Sequence, residues 1–245
     1  MLAKRADALE ARVAEFASLL TMEQGKPTRQ AMGEIIGSTY VLRAFVDKRV
    51  EPVVLRDKGG KTVTEHRTPL GVVAAITPWN YPVMMLVQKL APALVTGNTM
   101  VLKPAPTTPL TSLLFAELAS EILPAGVFNV ICDENDLGGK LTAHPGVAKI
   151  AFTGSTATGK KVMASAAAMV KRVTLELGGN DAAIVLDDID AKAVAKKIYE
   201  GAMTNAGQIC VAIKRAYVPA NMYDAFCEEI ARLANEAIVD DGSKQ

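Results

Sequence analysis

Apolar positions in the first 48 residues recur at helical spacing: Leu9, Val13, Phe16 and Leu20, then, beyond a Gly25-Lys26-Pro27 break, Met32, Ile35, Ile36 and Thr39. This pattern predicts two amphipathic helices, each with one face turned to a core. From about Gly71 the texture changes to short β-branched runs: GVVAAIT (71–77), TMVLK (99–103), VFNVIC (127–132), AKIAFTG (148–154) and RVTLEL (172–177), with helix-like segments between them. Short apolar runs without strict alternation, separated by helices, describe strands of a parallel sheet covered on both faces. After Leu177 a Gly-Gly turn leads to a strand AAIVL (182–186), a helix from about Asp190 to Met203, a strand AIKRAYV (212–218) and a last helix from about Met222. The tail DDGSKQ reads as solvated, and no internal repeat interrupts the pattern. The expected fold class is α/β with a doubly wound, mainly parallel sheet. Ligands of such sheets bind beyond the carboxyl ends of the strands, so the polar residues that end each run are the candidates for chemistry.

Composition narrows the classes. The 245 residues are 50% hydrophobic and 22% charged with a net charge of +1, the profile of a folded chain and not of a disordered tail. Near-neutral charge argues against a nucleic-acid partner held by a basic face. Cys132, Cys210 and Cys227 are too few and too far apart for a disulfide framework, and His66 and His144 offer no zinc spacing, so a metal-free, reducing interior is expected. Residues 1–20 carry charges throughout, unlike a signal peptide, and no uncharged apolar stretch reaches a membrane-spanning length. The expected location is cytoplasmic, with no membrane partner.

The strand AKIAFTG runs into Gly154-Ser155-Thr156-Ala157-Thr158-Gly159 and then a helix, an arrangement whose backbone N–H groups and dipole can hold a phosphate. Its spacing is neither the G-x-G-x-x-G fingerprint nor a P-loop, so a plain tight turn fits it as well. Cys210 follows Asn205-Ala206-Gly207-Gln208-Ile209 at a loop; a lone cysteine also serves as buried filler. Glu176 ends a strand, where it suits either a base or a salt-bridge partner. Asn80, between Pro78 and Pro82, can donate its amide to a developing oxyanion or cap a turn. Lys103 ends TMVLK before Pro104, and a solvated lysine is its bland alternative.

Taken together these pieces resemble the aldehyde dehydrogenases, and within them the succinate-semialdehyde branch. The motifs are TPWNYP (77–82), TMVLKPA (99–105), FTGSTATG (152–159), LELGG (175–179) and GQICVA (207–212), in that order. The resemblance implies a Rossmann-like cofactor domain over 1–178 and a partial catalytic domain over 179–245 that carries the nucleophile. It implies that the Cys210 thiolate attacks an aldehyde, that the Asn80 amide and the Cys210 N–H hold the oxyanion, and that Glu176 activates water to release a thioester. NAD or NADP would take the hydride. The cofactor path implied is Thr77, Pro78 and Trp79 from the first motif, Lys103, Ala105 and Pro106 from the second, and Gly154, Ser155 and Gly159 from the third. Leu177 and Gly178 complete it from the fourth. Partners implied are a small aldehyde or ester and further copies of the chain in a homo-oligomer.

Three departures from the family pattern bear on function. Ala105 and Pro106 stand where a carboxylate often binds the adenosine ribose, which leaves NAD and NADP both open. Gln88 replaces the arginine that holds an acidic semialdehyde, and Ala212 replaces a second cysteine, so no local redox disulfide is expected. Family members are about twice as long, so this sequence reads as truncated at both ends, with exposed sheet edges and abnormal association or limited solubility expected. Two rival readings follow: cysteine-dependent hydrolysis of short activated esters, and a non-catalytic nucleotide-binding fragment in which Cys210 is buried.

Overall fold

The computed structural model describes residues 2–244. Three helices open the chain, α1 (Leu2–Ala11), α2 (Val13–Gln24) and α3 (Thr28–Ala44), where the spacing predicts two. The chain bends at Arg12 (φ −113°, ψ 20°), which lets α1 and α2 each pack on α3. Arg12 stays outside, its guanidinium on Glu15 at 2.7 Å and 5.7 Å from the Phe16 ring centre. On α3 the buried face is Ala31, Glu34, Ile35, Ser38, Thr39 and Leu42, whereas Met32 and Ile36, both expected inside, are exposed. The core-facing stripe of this helix is thus partly polar.

An antiparallel hairpin follows, β1 (Val53–Lys58) and β2 (Lys61–Glu65), which the expectations above omit. Its signal is in the sequence: β-branched runs flank Gly59-Gly60, both at positive φ (63° and 69°), as a tight hairpin turn requires. Then come β3 (Val72–Ile76), α4 (Pro82–Val95), β4 (Thr99–Lys103), α5 (Leu110–Ser120), β5 (Phe128–Val130), α6 (Leu137–Ala143), β6 (Val147–Thr153), α7 (Thr156–Ala167) and β7 (Arg172–Glu176). These five strands form one parallel sheet in the order β5-β4-β3-β6-β7. The order reverses at β3, so the loops after β3 and β6 flank the switch point where such sheets bind ligands.

Side chains alternate across β3 and divide the core. Val73 and Ala75 join Leu9, Phe16, Leu86, Leu90, Leu102 and Phe115 on one face, while Ala74 and Ile76 join Ile150, Phe152 and Val162 on the other. Each wholly buried Leu or Phe contributes about 1.5–3 kcal/mol. The remaining elements, β8 (Asp181–Ile184), α8 (Ala191–Met203), β9 (Ile213–Tyr217) and α9 (Tyr223–Glu236), build a two-stranded parallel sheet with its own small core of Val185, Ala195, Ile198, Met222 and Phe226.

Two details depart from expectation. The tail is not wholly solvated: Gly242 is buried, its carbonyl accepts from Thr28 Oγ1 at 3.2 Å, and a Cβ there would lie 2.8 Å from the Lys26 carbonyl. On α1 the Arg5 side chain is fully buried, and none of its guanidinium nitrogens meets an acceptor among the described residues. Burial lowers its pKa to about 10. No described helix is long and apolar enough to cross a membrane.

Candidate active site

Beyond β3 the chain passes Thr77, whose N–H donates to the Lys103 carbonyl at 3.1 Å, then Pro78 and Trp79, and reaches Asn80. The Asn80 side-chain amide donates to the Gln208 carbonyl at 2.8 Å. This bond joins the β3 loop to the loop of Cys210. Two residues absent from the sequence expectations hold Asn80 from behind: Lys26 Nζ donates to the Asn80 carbonyl at 2.8 Å and to Glu34 Oε2 at 2.6 Å. Both side chains of that ion pair are wholly buried, which accounts for Glu34 on the core-facing stripe of α3, while the Ser38 and Thr39 hydroxyls donate to the Glu34 and Ile36 carbonyls of their own helix. Desolvation lowers the Lys26 pKa and raises that of Glu34, and their mutual attraction opposes both shifts.

Cys210 is exposed, as are Cys132 and Cys227, so it is not the buried filler of the bland alternative. Its loop is unusual in backbone: Asn205, Ala206 and Gly207 lie consecutively in the left-handed region (φ 52°, 54° and 74°). Left-handed geometry costs a non-glycine residue about 1–2 kcal/mol, so the segment needs anchors. It has several. The Asn205 N–H donates to Gln30 Oε1 at 3.0 Å, Asn205 Oδ1 accepts from Gln24 Nε2 at 3.1 Å, and the Gly207 carbonyl accepts from Lys214 Nζ at 2.5 Å. Gly179 of LELGG closes the far side: a Cβ there would stand 2.3 Å from the Cys210 carbonyl, so no larger residue fits.

Glu176 ends β7, exposed, in register with Thr153 of β6. Lys89 of α4 donates to Thr153 Oγ1 at 2.6 Å. Burial lowers the Lys89 pKa to about 8, and the Glu176 charge pulls the other way. Lys89 is a third residue that sequence reasoning missed; one apolar helix turn around a lysine carries no local signal of its burial.

A cleft of about 2440 Å³ extends from the carboxyl ends of β3, β4, β6 and β7 across the sheet to its amino-end side, where Leu70, Asn98 and Arg172 line it. It is lined by Cys210, Asn80, Glu176 and Gln88, and also by every expected cofactor residue except Gly159: Thr77, Pro78, Trp79, Lys103, Ala105, Pro106, Gly154, Ser155, Leu177 and Gly178. Gly159 instead lies under the first turn of α7, where a Cβ would come within 2.6 Å of Leu177, so its smallness serves helix-on-strand packing. The Gly154 N–H donates to the Glu176 carbonyl at 3.0 Å. Ser155 caps α7, its Oγ accepting from the Thr158 N–H at 3.2 Å. Thr77 Oγ1 is buried in the cleft wall without a hydrogen-bond partner among the described residues, a polar atom with room for a ligand.

Lys103 is not the solvated lysine of the bland alternative. It is buried, and its Nζ donates to Asp133 Oδ1 at 2.5 Å and to the Pro104 carbonyl at 3.3 Å. Burial alone would raise the Asp133 pKa, but Lys103 and the N–H groups of Leu137 and Asn135 outweigh it and hold the carboxylate low. A carboxylate therefore does stand at this end of the sheet, supplied by the loop after β5 and not by Ala105 or Pro106. His66 and His144 are both exposed; His66 lines the cleft beside Glu65 and Arg67, and His144 lies outside it. Among the described residues no cluster of His, Cys, Asp and Glu could hold a metal ion.

Comparison with known proteins gives consistent likenesses. A family model described as "Aldehyde dehydrogenase family" matches residues 1–245. Aldehyde dehydrogenase LUC3 of a Fusarium species is 43% identical over 94% of this chain and 49% of its own. Succinate-semialdehyde dehydrogenase [NADP(+)] GabD of Escherichia coli is 41% identical over 93% of this chain and 48% of its own. The crystal structure of PnpE in complex with nicotinamide adenine dinucleotide superposes with a TM-score of 0.95 at 37% identity, over 99% of this chain and 51% of that one. The chain spans about half the length of the curated relatives it matches.

Proposed function

The chain belongs to the aldehyde dehydrogenase family, and on that premise we propose that it oxidises an aldehyde to a carboxylic acid through Cys210, with NAD or NADP as hydride acceptor. The observation that carries this reading is the Asn80 to Gln208 hydrogen bond of 2.8 Å, which sets an amide donor against the loop of an exposed thiol in the same cleft as Glu176.

Cys210 acts as nucleophile: its thiolate adds to the carbonyl carbon, and the oxygen becomes an oxyanion. Asn80 has a second amide hydrogen for that oxygen while the first stays on Gln208, and the Cys210 N–H is the other donor. A bound nicotinamide would supply the hydride acceptor needed to take the sulfur-bound carbon to the thioester level. Glu176 then takes a proton from water, the hydroxide attacks the thioester, and the acid leaves as Cys210 recovers its thiolate. The residues present fit a dinucleotide: the orphaned Thr77 hydroxyl, the Ser155-capped start of α7 and the length of the cleft supply a polar atom, an anion-favouring terminus and space. Lys103, Trp79, Gly154 and Ser155 would line it, with Ala105, Pro106, Leu177 and Gly178 as its walls. The exposed Gln88 supports an uncharged aldehyde over an acidic one.

A second reading is hydrolysis of short activated esters, which uses Cys210, Asn80 and Glu176 alone and is favoured by the exposure of the thiol. The non-catalytic alternative required a buried Cys210 and loses that premise. A paired assay tests these readings, following NADH or NADPH formation with a panel of aldehydes and nitrophenol release from a short-chain nitrophenyl ester. Cys210→Ala is expected to abolish both, and Glu176→Gln to leave acylation intact while slowing release. Turnover unaffected by Cys210→Ala refutes the mechanism.

A further inference from the structure

Asn80 and the Cys210 loop lie far apart in sequence, yet one turn between α2 and α3 touches both. Before Gly25, which is left-handed (φ 91°), Gln24 Nε2 donates to Asn205 Oδ1 at 3.1 Å. After it, Lys26 Nζ donates to the Asn80 carbonyl at 2.8 Å. The Lys26 N–H donates to Gln24 Oε1 at 2.8 Å, which turns the Gln24 amide nitrogen toward Asn205. Glu34 completes the device: Oε2 takes the Lys26 ammonium, and Oε1 accepts from the Val83 and Met84 N–H groups at 2.9 and 3.1 Å, at the start of α4. The Lys26 ammonium also lies 3.8 Å from the centre of the Tyr81 ring.

We propose that Gln24, Lys26 and Glu34 are positioning residues that set the spacing between the Asn80 amide and the Cys210 loop. Three features carry this assignment. The Lys26 and Glu34 side chains are wholly buried, so neither meets substrate. Their hydrogen bonds end on backbone atoms of the segment that carries Asn80. The strained left-handed run from Asn205 to Gly207 is tied down from α2 and α3 by Gln24 and Gln30. Hydrogen-bond donors for an oxyanion are effective only when their placement is fixed before the charge develops, so a brace on both jaws acts on the chemical step and leaves substrate binding alone.

The inference rests on the roles proposed for Asn80 and Cys210. The test compares the full chain with Gln24→Ala and with the double variant Lys26→Met/Glu34→Met, which removes both buried charges together and so leaves no orphaned ion. Ester hydrolysis gives kcat and KM, and alkylation of Cys210 by iodoacetamide, followed on its own peptide, reports thiol reactivity without an oxyanion donor. Each variant is expected to lose about tenfold or more in kcat, with KM and the alkylation rate within about twofold of the parent. An unchanged kcat overturns the proposal. So does a parallel fall in kcat and alkylation, the mark of a collapsed loop. If the parent chain itself fails to turn over the ester, the roles of Asn80 and Cys210 fall and the brace with them.

Discussion

The Asn80 side-chain amide donates to the Gln208 carbonyl at 2.8 Å, two residues before Cys210. The loop after β3 is thereby tied to the Cys210 loop, and a side chain proposed to hold an oxyanion also sets the path of the backbone that presents the thiol. Asn80→Ala removes both contributions. Acylation by a nitrophenyl ester, read as the burst of nitrophenol, is expected to fall about 10²–10³-fold.

Lys89 carries a pH signature. Its pKa is lowered to about 8 in the fold, against an ordinary 10.5. Below about pH 8 the lysine is protonated folded and unfolded, and the fold bears the full cost of burying the charge. Between these two values the unfolded chain binds more protons, so stability rises with pH, by about 3 kcal/mol in all; above the upper value the group is neutral in both states. Urea unfolding across this window is expected to show that rise, and Lys89→Met to flatten it.

Asp133 bears on the choice of nucleotide. Its carboxylate, buried behind the cleft wall, pairs at 2.5 Å with Lys103, which is proposed to line the cofactor. A 2′-phosphate would meet a lysine whose charge is already spent and a carboxylate behind it. Calorimetric titration is expected to show NAD binding more tightly than NADP, and Asp133→Ala to narrow the gap by roughly tenfold, about 1.4 kcal/mol. Equal binding of the two by the parent chain would exclude this role for Asp133.

Arg5 is a buried cation without a described partner, an arrangement that opposes folding. Arg5→Met keeps the volume and the helix propensity while removing the charge. Chemical denaturation is expected to show a gain of about 1–4 kcal/mol, and a loss would reveal an acceptor for the guanidinium.

Much of this architecture was legible along the chain. Four strands of the parallel sheet fall within one residue of their apolar runs at each end, and β5, Phe128–Val130, starts one residue late and stops two residues short. The match is physical: a strand covered on both faces must be apolar on both, and few other environments demand that of so short a segment. The hairpin at Val53–Glu65 is equally readable from its Gly59-Gly60 turn, but β1 is exposed throughout and carries no buried apolar run. The first stripe misled because helical spacing continues across Arg12 although the axis bends there, a bend set by packing of α1 and α2 on α3.

The candidate site divides in the same way. That Cys210, Asn80 and Glu176 share one cleft was legible because thiol, amide and carboxylate each sit in a recognisable local motif, and the order of those motifs is a property of the chain alone. Lys26, Glu34, Lys89 and Asp133 were not, because a lone lysine or carboxylate reads as solvated until a partner buries it. Lys26 meets Asn80 across 54 positions and Lys103 meets Asp133 across 30. The sequence by itself determined the sheet, the family and the order of the motifs that carry the proposed reacting groups, all local patterns of side-chain type. Only the tertiary structure decided which charges are desolvated and what they hold, since desolvation depends on how closely distant segments pack and has no local signature.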